Sequence, residues 1–366
     1  MSEVRHFPYI CISGGPYERG RQYGAAAGTQ INRGLEIYAP ALRAKGLEWG
    51  EVRRAAAGFR KRLEAFDHDI VGELEGIAEG AGLPVEDIIF LNARTELLYG
   101  AANGSIDEGC TGVIILPGRS LHEDVLHGQN WDWRDECLDS TIVLHVFPEK
   151  GPEILTLVEA GGLARCGLNS KGIAITGNFL RTEHDDGRDG IPLSILRRKT
   201  LCAEHYVDAV RTLIDTPVSF SNNVMLSWSA GEALSFEKTP VETFFVEAEQ
   251  DLLVHSNHFL SAAAKAKVRE LSISTAPDTL YRRRRVETHL RNLNRPAEIG
   301  DLKSAFADRY GWPHSVCRPP EPGGVGESEV STVATVIMNV SAGELHVAAA
   351  PYEGADYSVY RLQAGQ

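Results

Sequence analysis

An α+β fold in four layers, with helices outside two antiparallel sheets packed face to face, is predicted by three features of the sequence. Apolar residues recur at helical spacing through most of the first hundred residues. The pattern changes at Gly109 and Cys110 to short β-rich runs separated by turn residues. Helical patterning then returns, and the chain closes on a hairpin. Together these spell an α-β-β-α sandwich of two antiparallel sheets. No repeat or low-complexity linker forces a boundary, so residues 1–109, mostly helical, and 110–366, carrying the sheets, form one compact unit.

From Tyr17 to about Tyr99 the pattern is helical, most clearly in "VRRAAAGFRKRLEAFDHDIVGELEGIAEGAGL", with Pro84 starting a further helix. Beyond Cys110 the runs "TGVIILPG", "VLHGQNWDW", "STIVLHVFP", "EILTLVEAGG" and "ARCGLNSKGIAITGNF" read as a meandering antiparallel sheet. A second helical stretch spans Pro192 to Ile214. Strand-like segments follow at Asn223–Phe236, Thr243–Val246 and Leu252–Ser256, and helices at Pro277–Leu293 and Ile299–Asp308. "STVATVIMNVSAGELHVAAAPY" is a hairpin turning near Ser341–Gly343.

Composition narrows the function. The chain has 366 residues, with 37 Lys+Arg against 50 Asp+Glu and a formal net charge of -13. Such a balance repels phosphate backbones and anionic lipid, so neither nucleic acid nor membrane is an expected partner. The run Arg282–Arg285 lies in a helix-like segment, where successive arginines spread around the axis, and reads as a solvated helix. No apolar stretch approaches the roughly 18 to 20 residues needed to span a bilayer, and the start lacks the layout of a signal peptide. A cytoplasmic location is expected. Six scattered cysteines without a C-x-x-C pair, and histidines without H-E-x-x-H spacing, call for no metal or other cofactor.

The chemistry concentrates at the change of pattern. "DEGCTGVIIL" places Cys110 where a polar linker enters a strand. Gly109 before it can adopt backbone angles closed to other residues and offers no side chain to block attack on its carbonyl. If the thiol severs that peptide bond, Cys110 carries both a nucleophile and a base, since an α-amino group has an unperturbed pKa of roughly 7.7 to 8.0. Taken alone, a Gly-Cys pair reads as a structural cysteine after a loop.

Its company changes that reading. "GGPYERGRQYG", "LNARTELLYG", the "GCT" of Gly109–Thr111, "GQNWDW", "GLNSKGIAI", "VHSNHFL" and "HSVCR" resemble, in order and spacing, the penicillin acyltransferase (isopenicillin N acyltransferase) family of N-terminal nucleophile hydrolases. The resemblance implies the Ntn hydrolase fold, self-cleavage between Gly109 and Cys110, and Cys110 as nucleophile. It assigns catalytic support to Asp132 of "NWD", whose carboxylate would orient the ammonium or thiol. Asn257 of "HSNH" would donate to the oxyanion. His258 reads as structural beside an N-terminal amine, and Asn130 and Trp131 as packing residues. Ser331 is a further candidate, standing where the penicillin enzymes have a Ser-Arg pair. The second residue here is Thr332, which removes a cation and argues against the penicillin nucleus as substrate.

Substrate contacts are expected from Thr111, from Arg94 of "ARTE" and from Arg318 as an anion contact. Arg94 and Glu96 lie on different helix faces and reach separate partners. Two outcomes stay open. A hydrolase would release the acyl group of a small linear amide, an acylated amine or amino acid, to water. An acyltransferase would pass it from acyl-CoA or an amide to an amine. Either works as a heterodimer of its own two fragments, with further oligomerisation open.

Overall fold

Residues 5–99, 109–185, 189–320 and 329–363 are described by the computed structural model. Among them run β1 (Tyr9–Gly14), β2 (Gly109–Ile115), β3 (Leu126–Arg134), β4 (Thr141–Pro148), β5 (Ile154–Glu159), β6 (Cys166–Asn169) and β7 (Ile173–Phe179). They are followed by β8 (Asn222–Trp228), β9 (Glu232–Lys238), β10 (Thr243–Glu247), β11 (Leu252–His255), β12 (Val330–Asn339), β13 (Glu344–Ala349) and β14 (Ser358–Arg361). The helices are α1 (Pro16–Ala44), α2 (Trp49–Phe66), α3 (His68–Ala81), α4 (Val85–Asn92), α5 (Arg94–Tyr99), α6 (Leu193–Leu201), α7 (Tyr206–Asp215), α8 (Ala262–Lys267), α9 (Ser272–Thr275), α10 (Thr279–Arg291) and α11 (Ile299–Phe306).

The strands form an eight-stranded sheet, ordered β1-β4-β5-β6-β7-β8-β9-β10, and a six-stranded sheet, ordered β11-β2-β3-β12-β13-β14. β2 and β3 face β7 and β8 across the interface, α1 and α6 pack on the first sheet, and α10 and α11 cover the second. The α-β-β-α sandwich is therefore present. Two features depart from the sequence reading. The β-rich run after Cys110 is not one meander, because β2 and β3 belong to one sheet and β4 to β7 to the other. β1, not anticipated as a strand, adds to the edge of the larger sheet by pairing with β4 in parallel. Among the described residues no helix is long and apolar enough to cross a membrane.

Strand alternation sorts β2 between two cores. Cys110 and Ile114 join Trp131, Trp133 and the residues of the larger sheet. Val113 and Ile115 join Val286, Leu290, Leu302 and Phe306 beneath α10 and α11. Buried polar pairs tie the sheets together: Gln129 Nε2 donates to the Gly177 carbonyl at 2.7 Å, and His127 meets Thr176 and Ser227, each at 2.9 Å.

The outer helices are held by close backbone approach. A Cβ at Gly20 or Gly24 of α1 would collide with the carbonyl of Glu73 or Ile77 on α3, and one at Gly76 or Gly80 with that of Tyr17 or Arg21. Glu73 lies at this crossing with no exposed surface and pairs with Arg19, at 2.6 Å, and with Arg198 of α6. By contrast, a Cβ at Gly58 on the exposed face of α2 meets nothing within 4 Å. Gly76→Val should therefore lower stability by about 2 kcal/mol or more through overpacking, whereas Gly58→Ala should raise it by roughly 0.5 to 1 kcal/mol. Denaturant melts of both variants check the pair, and an unaffected Gly76→Val would contradict the α1–α3 crossing.

Candidate active site

Register sets the neighbours of Cys110. β2 runs antiparallel to β3 with Gly109 opposite Asp132 and Cys110 opposite Trp131. β11 flanks β2 on the other side with His255 opposite Gly112, so the chain, continued by two residues, brings Asn257 level with Cys110. There the Cys110 N–H donates to Asn257 Oδ1 at 2.7 Å. Asn257 is itself fixed, its Nδ2 donating to the Phe179 carbonyl at 3.0 Å and its backbone N–H to Thr279 Oγ1 at 2.8 Å.

Beneath the sheet, α10 sends up Arg282, which has no exposed surface. Its Nη1 donates to the Cys110 carbonyl at 2.8 Å and to Thr111 Oγ1 at 3.0 Å, its Nη2 to Asn257 Oδ1 at 2.9 Å, and its Nε to Asp278 Oδ2 at 2.6 Å. The solvated-helix reading of Arg282–Arg285 is thus corrected for Arg282, which is part of the site. A signal was available: Arg282, Val286 and Leu290 follow at i, i+4 and i+8 and share the buried face of α10. Burial works to raise the Asp278 pKa, but Arg282 and Arg318, the latter donating through Nη2 at 2.7 Å, outweigh it and the net shift is downward.

Asp132 and Gly109 form a second close pair. A Cβ on Gly109 would collide with Asp132 Oδ2, while Asp132 Oδ1 accepts from Thr332 Oγ1 at 2.6 Å. Gly109 does not use the left-handed region. Its lack of a side chain is required because the carboxylate fills that space, and backbone freedom, one of the two reasons expected from sequence, is not the cause. Oδ2 of Asp132 is buried without a hydrogen bond, 3.8 Å from Arg318 Nε. Burial pushes the Asp132 pKa up, against the pull of Arg318 and Arg282. By strand alternation Asp132 lies on the face opposite the thiol, so it meets the backbone before Cys110 and not the sulfur.

On the thiol's own side, a cavity of about 50 Å³ is lined by Cys110, Trp131, Trp133, Phe179 and the arginines Arg94, Arg165 and Arg197, among others. Arg165 Nη2 lies 3.4 Å from Cys110 Sγ, and its guanidinium stacks 4.1 Å from the Trp131 ring centroid. Trp131 is therefore a wall of the cavity as well as a packing residue. Arg94 and Glu96 do reach separate partners: Arg94 pairs with Glu159, and Glu96 accepts from the Leu193 N–H at 2.9 Å.

Three candidates lie elsewhere than the sequence reading set them. Ser331 sits opposite Trp133, two strands across from Cys110 and two residues further along, and donates to Asp135 at 2.6 Å. The neighbouring Thr332 is the residue in line with Asp132 and Gly109. Thr111 and Arg318 lie on the helix-covered side of the smaller sheet, not among the residues lining the cavity. His258 meets Thr279 Oγ1 at 2.9 Å, and burial lowers its pKa to about 3, leaving it neutral. Arg165 and Arg197 escaped notice in the sequence, since neither sits in a motif that marks a cavity.

Comparison with known proteins adds an independent finding. Residues 121–350 match the family model described as acyl-coenzyme A:6-aminopenicillanic acid acyl-transferase. The chain is similar to the acyl-coenzyme A:6-aminopenicillanic-acid-acyltransferase 40 kDa form of Emericella nidulans, 26% identical over 344 residues, covering 90% of this chain and 89% of that protein. Among solved structures it is similar to a mutant conjugated bile acid hydrolase from Clostridium perfringens, with 14% identity, TM-score 0.49, and 70% of this chain and 93% of the other covered. Penicillin V acylase from Agrobacterium tumefaciens gives 15% identity, TM-score 0.48, and coverage of 69% and 86%.

The buried charges have a consequence for stability. Because Asp278 is held below its unfolded value of about 3.9, its contribution is fully present above that pH and is lost as pH falls through the depressed native value. Asp278→Asn should lower stability at pH 6 and flatten its decline between pH 5 and 3, as read by urea melts across that range. A variant declining as steeply as wild type would show that this carboxylate is not linked to folding.

Proposed function

The chain belongs to the acyl-coenzyme A:6-aminopenicillanic acid acyl-transferase family, and from that premise we propose that it is an N-terminal cysteine amidohydrolase that cuts itself between Gly109 and Cys110. The observation that carries this reading is the double clamp on Cys110. Its backbone nitrogen is held by Asn257, its carbonyl by Arg282, and its side chain lines the cavity.

In the first reaction Sγ attacks the Gly109 carbonyl carbon, the Gly109–Cys110 C–N bond breaks, and the thiol proton passes to the departing nitrogen. Water then hydrolyses the thioester, leaving a carboxylate on Gly109 and restoring the thiol. The nitrogen so released stays beside Asn257 Oδ1, its partner in the uncut chain. In the second reaction that amine accepts the thiol proton as sulfur attacks a substrate amide, and returns it to the leaving amine. Water attacks the resulting thioester and releases the acid.

Asn257 has a second N–H beyond the one given to Phe179, which suits it to the oxyanion. Arg165 puts a fixed positive charge beside the sulfur. Asp132, packed on Gly109, acts on the bond to be cut more directly than on substrate. The substrate is a small linear amide, the products of self-cleavage remain together as a heterodimer, and the protein works in the cytoplasm. A second reading, transfer of the acyl group to an amine, is favoured by the name of the Emericella nidulans relative. It shares every step up to the thioester and differs only in the group that attacks it.

Intact mass of the wild-type protein should show two fragments, Met1–Gly109 and Cys110–Gln366, and Cys110→Ala a single chain. An active wild-type protein of unbroken mass would sink the proposal. In cleaved protein, Asn257→Ala should reduce kcat by roughly 10²- to 10³-fold. The ratio of acid to new amide formed when an amine is added separates hydrolysis from transfer.

A further inference from the structure

The charges around the cavity do not balance. Arg94 is committed to Glu159, whose pKa burial would raise but Arg94 draws below the ordinary range. Glu96 caps the Leu193 N–H, and burial pushes its pKa up. That leaves Arg165 and Arg197. Both are more than nine-tenths buried, both line the cavity, and among the described residues neither is ion-paired with a carboxylate. In each, the Nε–H is buried without a hydrogen-bond partner.

Arg197 is built into this position. Its Nη2 donates to Asn222 Oδ1 at 2.9 Å, and its guanidinium packs against Gly177, where any Cβ would come within 2.5 to 2.9 Å of it. The neighbouring like charges of Arg165 and Arg94 add to burial in lowering its pKa to about 10. Two buried cations facing one cavity with no carboxylate of the described residues in contact, Glu96 and Glu159 acting on them only from a distance, are costly, and a planar guanidinium is suited to binding a carboxylate through paired N–H donors.

We propose that Arg165 and Arg197 form a binding site for a carboxylate carried by the substrate, and that the enzyme acts on amides with such a group close to the bond it cleaves. The assignment rests on the amidohydrolase reading above and names its substrate class. Closeness follows from Arg165, whose Nη2 touches the nucleophilic sulfur at 3.4 Å: an anion held there is only a few bonds from the carbonyl under attack. N-acyl α-amino acids meet this requirement with the carboxylate on the leaving amine. Half-amides of short dicarboxylic acids meet it with the carboxylate on the acyl group.

The test compares wild-type kcat/KM for N-acylglycines against the matching N-acylglycinamides, and for succinyl half-amides against the matching neutral butanoyl amides, across acyl chains of increasing length. At least one carboxylate series should exceed its neutral partner by about 10- to 100-fold, and the series that does so identifies the source of the charge. Arg197→Met should collapse the ratio, mainly through KM, and Arg197→Lys should restore part of it. A second measurement needs no substrate and reads the cation pair whether or not the chain has cut itself. Alkylation of Cys110 by iodoacetate relative to iodoacetamide should exceed the same ratio for glutathione about tenfold and fall in Arg197→Met. Cleaved enzyme that turns over neutral amides equally well, with an alkylation ratio no higher than that of glutathione, overturns the carboxylate site and leaves the amidohydrolase reading intact. An uncut protein inert on every amide, with the alkylation ratio still raised, overturns the amidohydrolase reading and keeps the anion site.

Discussion

A guanidinium with no exposed surface persists in a protein only where its N–H groups find acceptors, and Arg282 finds them in the Cys110 carbonyl, Thr111, Asn257 and Asp278. Much of the candidate site follows from that requirement. Asn257 must present its oxygen to Arg282, and in doing so presents the same oxygen to the Cys110 nitrogen. Asp278 must stay ionised, which Arg318 reinforces from the far side. One charge under the sheet thus fixes both the backbone and the neighbour of Cys110.

The smaller sheet divides the work by its two faces. On the helix side Arg282 bonds the Cys110 carbonyl and Asp132 packs on Gly109, while Asp278, Arg318 and Thr332 hold those two side chains in place. On the other side lie the thiol, Trp131 and the cavity arginines. The alternation of a β-strand makes this possible, since adjacent residues point in opposite directions while sharing one peptide bond. Cys110 can therefore be immobilised from below and remain available to a substrate from above.

Much of the fold was legible because it rests on local signals. Helical spacing marked α1 to α4, turn residues marked the strands after Cys110, and the closing hairpin announced itself by its apolar arms around Ser341–Gly343. The assignment of strands to sheets was not legible, since the parallel pairing of β1 with β4 joins segments more than a hundred residues apart. The position of Cys110 at the head of a strand was readable, and so was the segment that brings Asn257 beside it. Where Ser331 stands was not legible, because register across β3 decides which residue of β12 meets which: it pairs Ser331 with Trp133, two residues beyond the neighbour of Cys110, and puts Thr332 in line with Asp132. Arg282 was misread because a run of four arginines looks solvated until one asks which of them shares a helical face with Val286 and Leu290.

Two glycines of the site lie directly against charged groups. Gly109 gives up a side chain to the Asp132 carboxylate on the helix side, and Gly177 gives one up to the Arg197 guanidinium on the cavity side. In both places a polar group lies against bare backbone without a full set of hydrogen bonds, as Asp132 Oδ2 and Arg197 Nε show. A fold selecting for stability alone would fill such spaces with apolar side chains, because unsatisfied buried polar atoms oppose folding. Their presence on either side of one cysteine is better explained by chemistry than by packing: a carboxylate against the Gly109 backbone suits the proposed self-cleavage, and a cation with an open N–H suits the proposed anionic group of the substrate.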